Sequence, residues 1–474
     1  MAEYRGNLQI EQEMAKLSWP EAPKIVTKIP GPKTKKIFDK EMANETPTRI
    51  GANAFQHVWS EALGATVKDP DGNLFIDLTA GVAVNNVGHT HPKVVEVIRR
   101  ECGILMHVPD MSTPWRQKLG EKLSQIAPGK LKGNVKMAYG LSGSSAIEMA
   151  LKFARAHTGK THIIAMEGAY HGSIGTALTL TGSPAYRVNY RPFMPFVYRA
   201  NPYAYCYRCA LNLKYPGCDL QCAKFIEFQL TGTYSGVDIE DVAALIIEPI
   251  QAEGGYVPPP PGFLDYLRKL CQRLGILFIA DEIQVGLGRT GKMFAIEHYG
   301  IEPDMITMGK ALGGDLPFSG VMSRKDIADT LLPMSHVLTA AGNNMSCAVA
   351  CTNIDLLQDG LIDRAAKLGD YIIAKLGDIA KEREIIGDVR GKGLGIAIEL
   401  VKNRETKEPL QIGEMGRNQW GLRDKGVLLL PAGRYGNVLR FIPPLVITKG
   451  HVDKALEIIS EVLKEVEGDV LAAK

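Results

Sequence analysis

Three polar segments of this sequence directly follow apolar runs, and each carries residue types that can do chemistry. The segment 140–145, Gly-Leu-Ser-Gly-Ser-Ser, precedes a helical pattern, and free backbone N–H groups at the start of a helix bind anions. Asp281 follows the run 276–280, and a buried carboxylate needs a partner, such as a protonated pyridine nitrogen or an arginine. Lys310 follows the run 305–308, where desolvation favours a neutral amine that can form an imine.

Each of these segments, taken singly, has an ordinary structural explanation. Serines are preferred helix caps, an arginine satisfies a buried carboxylate, and a loop lysine is usually solvated. For Lys310 alone, the solvated lysine is the better interpretation. The three segments together, in this order along the chain, favour a role in catalysis or cofactor binding over a purely structural role.

The pattern around these segments predicts how they are positioned. Short apolar runs alternate with helical periodicity, and this alternation predicts a parallel sheet covered on both faces by helices. Ligands of such sheets bind beyond the carboxyl ends of the strands. The predicted strands are 135–139, 162–166, 245–247, 276–280 and 305–308, and the predicted helices are 146–157 and 263–274.

Both ends of the chain have a different pattern. Residues 1–45 are polar and rich in Lys and Pro, with a short helix expected near 10–17. A hairpin with a type I′ turn at Asp71-Gly72 is expected next. Beyond a long helical stretch that starts near Cys347, strands at 390–400 and 438–442 and a terminal helix at 451–466 predict a smaller α+β domain. The predicted bounds are 1–75 for an N-terminal arm with part of the small domain, 76–345 for the large domain and 346–474 for the C-terminal small domain.

Composition excludes some classes of partner. The chain has 474 residues, 45% of them apolar, and its 55 basic and 52 acidic residues give a net charge of +3. This near balance of charge gives no excess of basic residues of the kind that binds nucleic acid or membranes. The charged N-terminal sequence lacks the apolar core of a signal peptide, so a cytoplasmic location is expected.

Long segments of the chain resemble the class III aminotransferases, a family of fold-type I pyridoxal-phosphate enzymes. The resemblance covers residues 51–466 and includes SGSSAIEMALKFAR, GAYHGS, ALIIEPIQAEGGYVPPPPGFL, FIADEIQVGLGRTGKMFAIEHYGIEPDMITMGKALGG and LRFIPPLVIT. It implies an α/β fold, with a mostly parallel sheet in the large domain, and pyridoxal 5′-phosphate as the cofactor.

The resemblance also implies roles for residues that would surround the cofactor ring. Lys310 matches the lysine that holds the cofactor as a Schiff base and shuttles the substrate proton. Asp281 matches the carboxylate on the pyridine nitrogen, which keeps the ring an electron sink. Tyr170 and Ile283 match the residues on the two ring faces, and Gln284 matches the partner of the ring hydroxyl.

Further matches concern the phosphate, the subunit partner and the substrate. Gly143 and Ser144 match the phosphate cradle, and Thr339 matches a threonine that reaches the cofactor phosphate of a neighbouring subunit. The resemblance therefore implies a homodimer with shared active sites, and leaves assembly into tetramers open. Arg440 matches the arginine that binds a substrate carboxylate, and Glu253 matches the glutamate that can cover it. Two other charged residues have weaker matches. Glu248 resembles a carboxylate that supports the residues around the cofactor. Arg390 could instead simply pair with a carboxylate in the small domain.

This sequence departs from the family pattern at several positions. Ser145 replaces a glutamate that often follows the phosphate serine. Ser173 stands where the 4-aminobutyrate enzymes have an arginine that grips the distal carboxylate, which argues against 4-aminobutyrate as substrate. Tyr170 in place of Trp argues against the dialkylglycine decarboxylases. Ala340 replaces an aromatic residue, which is expected to enlarge the pocket at the subunit boundary.

An insertion at 203–222 concentrates half of the cysteines. Cys206, Cys209, Cys218 and Cys222 have a spacing that suits a structural, tetrahedral zinc ion. Two disulfides and four free thiols are the alternatives. Similar insertions occur in a branch of the family that includes amino-acid racemases.

Three functions remain open at this point. An aminotransferase would move an amino group between an amino acid or amine and a 2-oxo acid, whereas a racemase or epimerase would return the proton to the opposite face of Cα. Both begin with proton removal by Lys310. The third function, a non-catalytic binding protein, is disfavoured because Lys310 and Asp281 are both present.

Overall fold

The computed structural model of the protein describes residues 4, 6–46, 48, 57–188, 197–233, 236–410 and 421–472. The chain divides into two compact units. One unit comprises Met1–Pro92 together with Gly360–Lys474, and the other is Lys93–Asp359. In the part of the chain that the structure describes, no helix is long and apolar enough to cross a membrane.

The described residues form sixteen strands and a set of helices that surround them. Numbered along the chain, the strands are β1 (Glu61–Leu63), β2 (Thr66–Lys68), β3 (Leu74–Asp77), β4 (Val135–Gly140), β5 (His162–Met166), β6 (Val197–Asn201), β7 (Val242–Ile247), β8 (Leu277–Asp281), β9 (Met305–Met308), β10 (Ser319–Arg324), β11 (Ile386–Lys392), β12 (Gly395–Asn403), β13 (Glu408–Pro409), β14 (Val427–Leu428), β15 (Leu430–Ala432) and β16 (Val438–Phe441). The main helices are Leu8–Ala15, Pro32–Met42, Pro92–Cys102, Pro114–Ile126, Gly143–Thr158, Gly175–Leu180, Gln221–Thr231, Phe263–Leu274, Asn344–Leu356, Ile362–Lys381 and Lys449–Ala472.

The unit Lys93–Asp359 is built on a seven-stranded sheet of order β4-β10-β9-β8-β7-β5-β6. All its neighbouring pairs are parallel except those that β10 makes with β4 and β9. Every residue of β7, β8 and β9 is buried, which explains why these strands are continuously apolar in sequence. The predicted mostly parallel α/β sheet is thus confirmed.

The helix Gly143–Thr158 packs on this sheet and carries the first candidate anion-binding segment at its N-terminus. Its buried face includes Ile147, Leu151 and Ala154, which join one core cluster with Ile246 on β7 and Ile279 on β8. Burial of side chains of this size contributes about 1.5–3 kcal/mol each. The packing therefore holds the start of the helix firmly beside the ends of the strands.

The other unit contains two smaller sheets. One has the order β1-β2-β3-β14 and the other the order β11-β12-β16-β15, with β13 paired to β12. The single strand predicted at 390–400 is wrong, because β11 and β12 form an antiparallel hairpin there. Gly393, with a φ of 53°, lies in the turn between them and takes a left-handed conformation that glycine adopts at little cost.

The predicted hairpin at β2 and β3 is present, but its type I′ turn is wrong. Such a turn needs positive φ at both central residues, whereas Gly72 has a φ of 94° and Asp71 is not left-handed. The backbone N–H of Gly72 donates to the carbonyl of Asp69 at 3.1 Å. Pro70 therefore occupies the second position of this turn, where its fixed φ is favourable.

Candidate active site

A cavity of about 170 Å³ opens at the carboxyl ends of the parallel strands in the unit Lys93–Asp359. The segments that follow β4, β5, β7, β8 and β9 all contribute to its wall. The polar side chains in that wall that could take part in binding or catalysis are Ser144, Tyr170, His171, Asp281, Gln284 and Lys310. The location agrees with the rule that ligands of such sheets bind beyond the strand ends.

One end of the cavity is the N-terminus of the helix Gly143–Thr158. Ser142 caps this helix, because its hydroxyl accepts the backbone N–H of Ser145 at 3.2 Å. Gly143 is required for close packing, since a Cβ there would lie 3.3 Å from Cγ2 of Ile283. A helix N-terminus of this kind, with the Ser144 hydroxyl beside it, suits a phosphate group.

Ser145, which replaces a glutamate of the family pattern, holds the turn itself together. Its hydroxyl accepts the backbone N–H groups of Leu141 and Ser142 at 3.1 and 3.0 Å. The same hydroxyl donates to the carbonyl of Ser142 at 2.7 Å. The serine therefore fixes the turn through backbone groups and adds no negative charge beside the anion-binding helix end.

Asp281 ends β8 and is surrounded by donors. The register of the sheet places Asp281 beside Thr307, whose hydroxyl donates to Oδ1 at 3.0 Å. The backbone N–H of Ile283 also donates to Oδ1, at 3.1 Å. The imidazole Nδ1 of His171 lies 2.6 Å from Oδ2, and both side chains are buried. Three donors thus orient one carboxylate toward the cavity.

His171 is a site residue that the sequence reasoning missed. It lies between Tyr170 and Gly172, in a segment that was considered only for its aromatic residue. The histidine beside a glycine, in a segment typical of buried residues, is the sequence feature that could have indicated it. Nothing in the sequence links that position to Asp281. The sheet brings the two residues together.

Glu248 follows β7 and fixes the backbone beneath Tyr170. Its Oε1 accepts the N–H of Tyr170 at 2.9 Å, and its Oε2 accepts the N–H of Ala252 at 2.8 Å. Complete burial raises the pKa of Glu248 to about 7, an effect that the nearby negative charge of Asp281 strengthens.

The ring of Tyr170 is positioned by a second set of contacts. Its hydroxyl lies 2.7 Å from that of Ser173, and its ring makes an edge contact with Tyr186 at a centroid distance of 5.0 Å. Burial raises the pKa of the Tyr170 phenol. The hydroxyl of Tyr186 in turn donates to Glu253 at 3.3 Å.

Lys310 begins a short 3-10 turn directly after β9 and lines the cavity. Its φ of 41° is left-handed, which is unfavourable for a residue with a side chain and is typical of functional sites. The neighbouring Gly309 packs against this region, since a Cβ there would be in van der Waals contact with Ile283 and Gly143. The backbone conformation therefore brings the lysine amine to the same wall as the anion-binding turn.

Comparisons with known proteins agree with this geometry. Residues 49–463 match the family model described as aminotransferase class-III. The chain belongs to the class III aminotransferase family. An alanine/serine racemase of Pyrococcus horikoshii is 37% identical over 451 residues, which cover 94% of this chain and 93% of that protein. A 4-aminobutyrate aminotransferase of Mycobacterium leprae is 36% identical over 443 residues, which cover 93% and 97%.

Solved structures of transaminases share the fold. An (S)-enantioselective omega-transaminase from Thermomicrobium roseum superposes with a TM-score of 0.82 at 29% identity, covering 91% of this chain and 98% of that one. The fold predicted from the sequence, a fold-type I pyridoxal-phosphate enzyme, is confirmed. The prediction of a class III enzyme is confirmed as well.

Enzymes of the class III family use pyridoxal phosphate, and the residues present fit that cofactor. The helix N-terminus suits its phosphate, and Asp281 suits a pyridine N–H. Oε1 of Gln284 is buried and has no hydrogen-bond partner among the described residues, so it is an acceptor for a ligand hydroxyl. Tyr170 and Ile283 supply the flat, largely apolar walls that a ring needs.

Other residues predicted for the site lie outside this cavity wall. Thr339 is exposed, and Glu253 contacts Tyr186. Arg440 lies on β16 in the other unit, where its Nη2 donates to the carbonyl of Pro431 at 3.1 Å. Arg390 pairs with Asp388 at 2.8 Å and with Glu399 at 2.7 Å, which is the carboxylate pairing expected as its alternative role.

The predicted zinc site is not supported by the part of the chain that the structure describes. The four cysteines of the insertion line one mainly apolar cavity, but no three His, Cys, Asp or Glu side chains in the described part of the chain are arranged to hold a metal ion. None of the four forms a disulfide. Burial raises the pKa of the thiols of Cys206 and, to about 11, Cys222, whereas zinc binds thiolates. The alternative of four free thiols in a packed loop describes the segment.

Proposed function

We propose that this protein is a pyridoxal-phosphate-dependent aminotransferase that moves an amino group from an amino acid or amine to a 2-oxo acid. One observation carries the proposal: Lys310, Asp281 and the N-terminus of the helix Gly143–Thr158 meet in one cavity. An amine, a buried carboxylate and an anion-binding turn are the three groups that this cofactor requires.

The chain's residues divide the work of holding the cofactor. Gly143 and Ser144 would bind the phosphate, Asp281 the pyridine nitrogen and Gln284 the ring hydroxyl. Tyr170 and Ile283 would cover the ring faces, and Lys310 would hold the cofactor covalently. When bound, pyridoxal phosphate supplies an electron-withdrawing ring that stabilises negative charge on the carbon next to the substrate nitrogen.

Proton transfer falls to Lys310. Lys310 lines the cavity, and the two residues that follow it, Ala311 and Leu312, are buried. Such an amine would take a proton from the carbon that bears the substrate's amino group and, in amino transfer, deliver it to the carbonyl-derived carbon of the cofactor and not back to the same carbon. Positioned acid–base groups of this kind contribute about 10²–10⁴-fold to rate.

The family resemblance supplies two charged residues for substrate binding. Arg440 would bind the substrate carboxylate, and Glu253 would cover that arginine when no carboxylate is present. Ser173 lies beside Tyr170 and offers a hydroxyl in place of a guanidinium. We therefore infer a substrate without a distal carboxylate in the position that 4-aminobutyrate would require.

Racemisation is the second candidate function. The relatives include proteins named alanine/serine racemase and isoleucine 2-epimerase, at 37% identity each. Racemisation uses the same cofactor contacts and the same lysine, but a second proton donor must act on the opposite face of Cα. In this alternative no 2-oxo acid is consumed.

We also infer a homodimer. Exposed apolar side chains occur at 104–111 and 332–337, where Leu332 and Met334 are 76% and 84% exposed. Arg116 joins these segments, because it pairs with Asp110 at 2.8 Å and donates to the carbonyl of Ala341 at 3.4 Å. Exposed apolar patches mark protein interfaces, and the exposed Thr339 follows the second segment by two residues. The cytoplasmic location stays a prediction.

A single-turnover experiment tests the proposed function. The holoenzyme is incubated with single L-amino acids in the absence of any 2-oxo acid. Formation of one equivalent of the matching 2-oxo acid per site supports amino transfer. Catalytic formation of the D-isomer without 2-oxo acid supports racemisation and contradicts the proposal.

A further inference from the structure

Asn344 is a buried polar residue at the start of the helix Asn344–Leu356, and it lies outside the wall of the candidate active site. Its Nδ2 donates to Oε2 of Glu101 at 3.1 Å and to the backbone carbonyl of Leu105 at 3.2 Å. A carboxylate and a carbonyl only accept hydrogen bonds, so these two contacts fix the orientation of the amide. One buried side chain therefore joins two segments that are 243 positions apart in the sequence.

Glu101 is the residue that makes this contact necessary. It lies in the last turn of the helix Pro92–Cys102 and is only 4% exposed. A negative charge is unfavourable at the C-terminus of a helix, and a buried carboxylate needs donors for its oxygens. Nε of Arg100 lies 2.9 Å from Oε1, and Asn344 supplies the donor for Oε2. Loss of the Asn344 amide would thus leave one oxygen of a buried carboxylate without this donor.

The contact anchors the loop 338–343, which carries Thr339 and leads directly into the helix Asn344–Leu356. Asn343 caps this helix, because its Oδ1 accepts the backbone N–H of Ser346 at 3.0 Å. Its Nδ2 donates to the carbonyl of Ala340 at 3.3 Å. The loop and the helix start form one hydrogen-bonded turn, so whatever fixes the helix start also fixes the position of Thr339.

The other end of the contact lies at the exposed apolar segment 104–106. Ile104 and Met106 are 70% and 60% exposed, whereas the carbonyl of Leu105 between them accepts the buried amide of Asn344. This segment and the segment 332–337 form the surface that we propose as the dimer interface. Asn344 therefore connects one part of that surface to the loop that follows the other part.

We propose that Asn344 and Glu101 are positioning residues that hold Thr339 at the subunit boundary, where its hydroxyl binds the cofactor phosphate of a second copy of this chain. The inference rests on the proposed homodimer and on the proposed role of Thr339. It adds that this phosphate contact requires a buried hydrogen bond that lies outside the cofactor cavity.

The phosphate group itself provides a measurement that a purely structural role would leave unchanged. Dissociation constants are measured for pyridoxal 5′-phosphate and for pyridoxal, which lacks the phosphate. Full-length protein freed of cofactor is used, at a concentration where light scattering shows the dimer. The ratio of the constant for pyridoxal to that for pyridoxal 5′-phosphate reports on phosphate binding alone.

Two variants remove the hydrogen bond in different ways. Asn344→Leu has a similar volume but no donor, and the double variant Glu101→Leu with Asn344→Leu removes the buried carboxylate as well. Asn44→Leu, the same substitution at an exposed position in the other unit, is the matched control. Thermal unfolding and light scattering of each variant report on folding and assembly.

The expected result is a ratio that falls about tenfold or more in both variants and stays at the wild-type value in the control, as loss of a hydrogen bond to a charged group implies. Asn344→Leu should melt at a lower temperature than the wild type, whereas the double variant should recover most of this loss because no buried carboxylate oxygen is left without a donor. An unchanged ratio in either folded variant would overturn the inference. A fall that occurs only together with loss of the dimer mass would overturn it too, because association and not the position of Thr339 would then be the cause.

Thr339→Val distinguishes failure of the inference from failure of the proposed function. A wild-type protein that binds pyridoxal as tightly as pyridoxal 5′-phosphate contradicts the proposed cofactor. An unchanged ratio in Thr339→Val contradicts the role of Thr339, and the inference falls with it. A ratio that falls in Thr339→Val but not in a folded Asn344→Leu protein overturns the role of Asn344 and Glu101 alone.

Discussion

The phenolic oxygen of Tyr170 lies 2.7 Å from the hydroxyl of Ser173, three residues further along the same turn. In the 4-aminobutyrate enzymes that the sequence resembles, the second of these positions carries an arginine. The short serine thus orients the tyrosine and leaves the mouth of the cavity without a guanidinium at this point. Tyr170 lines the cavity, and the neighbouring Ser173 adds no charge beside it.

Replacement of this serine tests substrate preference. Ser173→Arg is expected to raise kcat/KM for 4-aminobutyrate at least about tenfold, because a guanidinium can bind the distal carboxylate through two hydrogen bonds. Steady-state kinetics with 4-aminobutyrate and 2-oxoglutarate measure the change. Ser173→Met is the matched control, with length but no charge. An equal rise in both variants would show that lost contact with Tyr170, and not charge, governs the preference.

The buried carboxyl of Glu248 makes stability depend on pH. Burial raises its pKa from 4.5 to about 7, so the folded state holds this proton more tightly than the unfolded state. The resulting stabilisation is complete below about pH 4.5 and is lost as the pH rises through 7. Glu248→Gln does not titrate, so its stability relative to wild type should rise by about 1–3 kcal/mol between pH 5 and pH 8, whatever constant cost arises because its amide nitrogen cannot accept one of the two backbone N–H groups.

Denaturant unfolding at a series of pH values, with cofactor present, measures this difference. Glu13→Gln, at an exposed position, is the control and should show no such trend. A Glu248→Gln protein whose stability follows the wild type in parallel at every pH would refute the assignment.

The exposed apolar patch predicts the assembly state. A double substitution of Leu332 and Met334 by glutamate is expected to convert the dimer to monomers and to lower activity, because charges would be buried at the interface. Light scattering after gel filtration measures the mass. Val26→Glu, at an exposed apolar position in the other unit, is the control. A doubly substituted protein that keeps the dimer mass would place the interface elsewhere.

The four-cysteine insertion should be independent of metal. Elemental analysis of protein purified in reductant is expected to find no stoichiometric zinc, and a strong chelator should leave the melting temperature unchanged. Stoichiometric zinc that is lost in Cys206→Ser and Cys222→Ser variants would contradict this account of the insertion.

Much of the large sheet could be predicted because its central strands are buried on both faces. The strands β5 and β9 have the predicted bounds, and β8 is displaced by one residue. The antiparallel β10 was not foreseen, since a strand's direction depends on its neighbours and not on its own sequence. The hairpin of β11 and β12 was missed because β11 is largely polar and half-buried, unlike the apolar and buried β12.

The site could be predicted in part for a similar reason. Asp281 and Lys310 each follow an apolar strand, and the parallel sheet brings such positions to one edge. The pairing of His171 with Asp281 joins residues 110 positions apart, and only the fold determines it. The structure does not support the zinc prediction, and cysteine spacing alone fixes neither the direction of the thiols nor their burial.

The most direct test of the central claim is exchange of the substrate's Cα proton in D₂O. Wild-type holoenzyme and the Lys310→Ala and Lys310→Arg variants are incubated with a panel of single L-amino acids, and Cα deuteration is followed by mass spectrometry. The account predicts exchange with at least one amino acid in the wild type and a loss of about 10²–10⁴-fold in both variants, since alanine has no base and arginine does not deprotonate. Exchange at the wild-type rate in either variant would contradict the assignment of Lys310 as the residue that moves the proton.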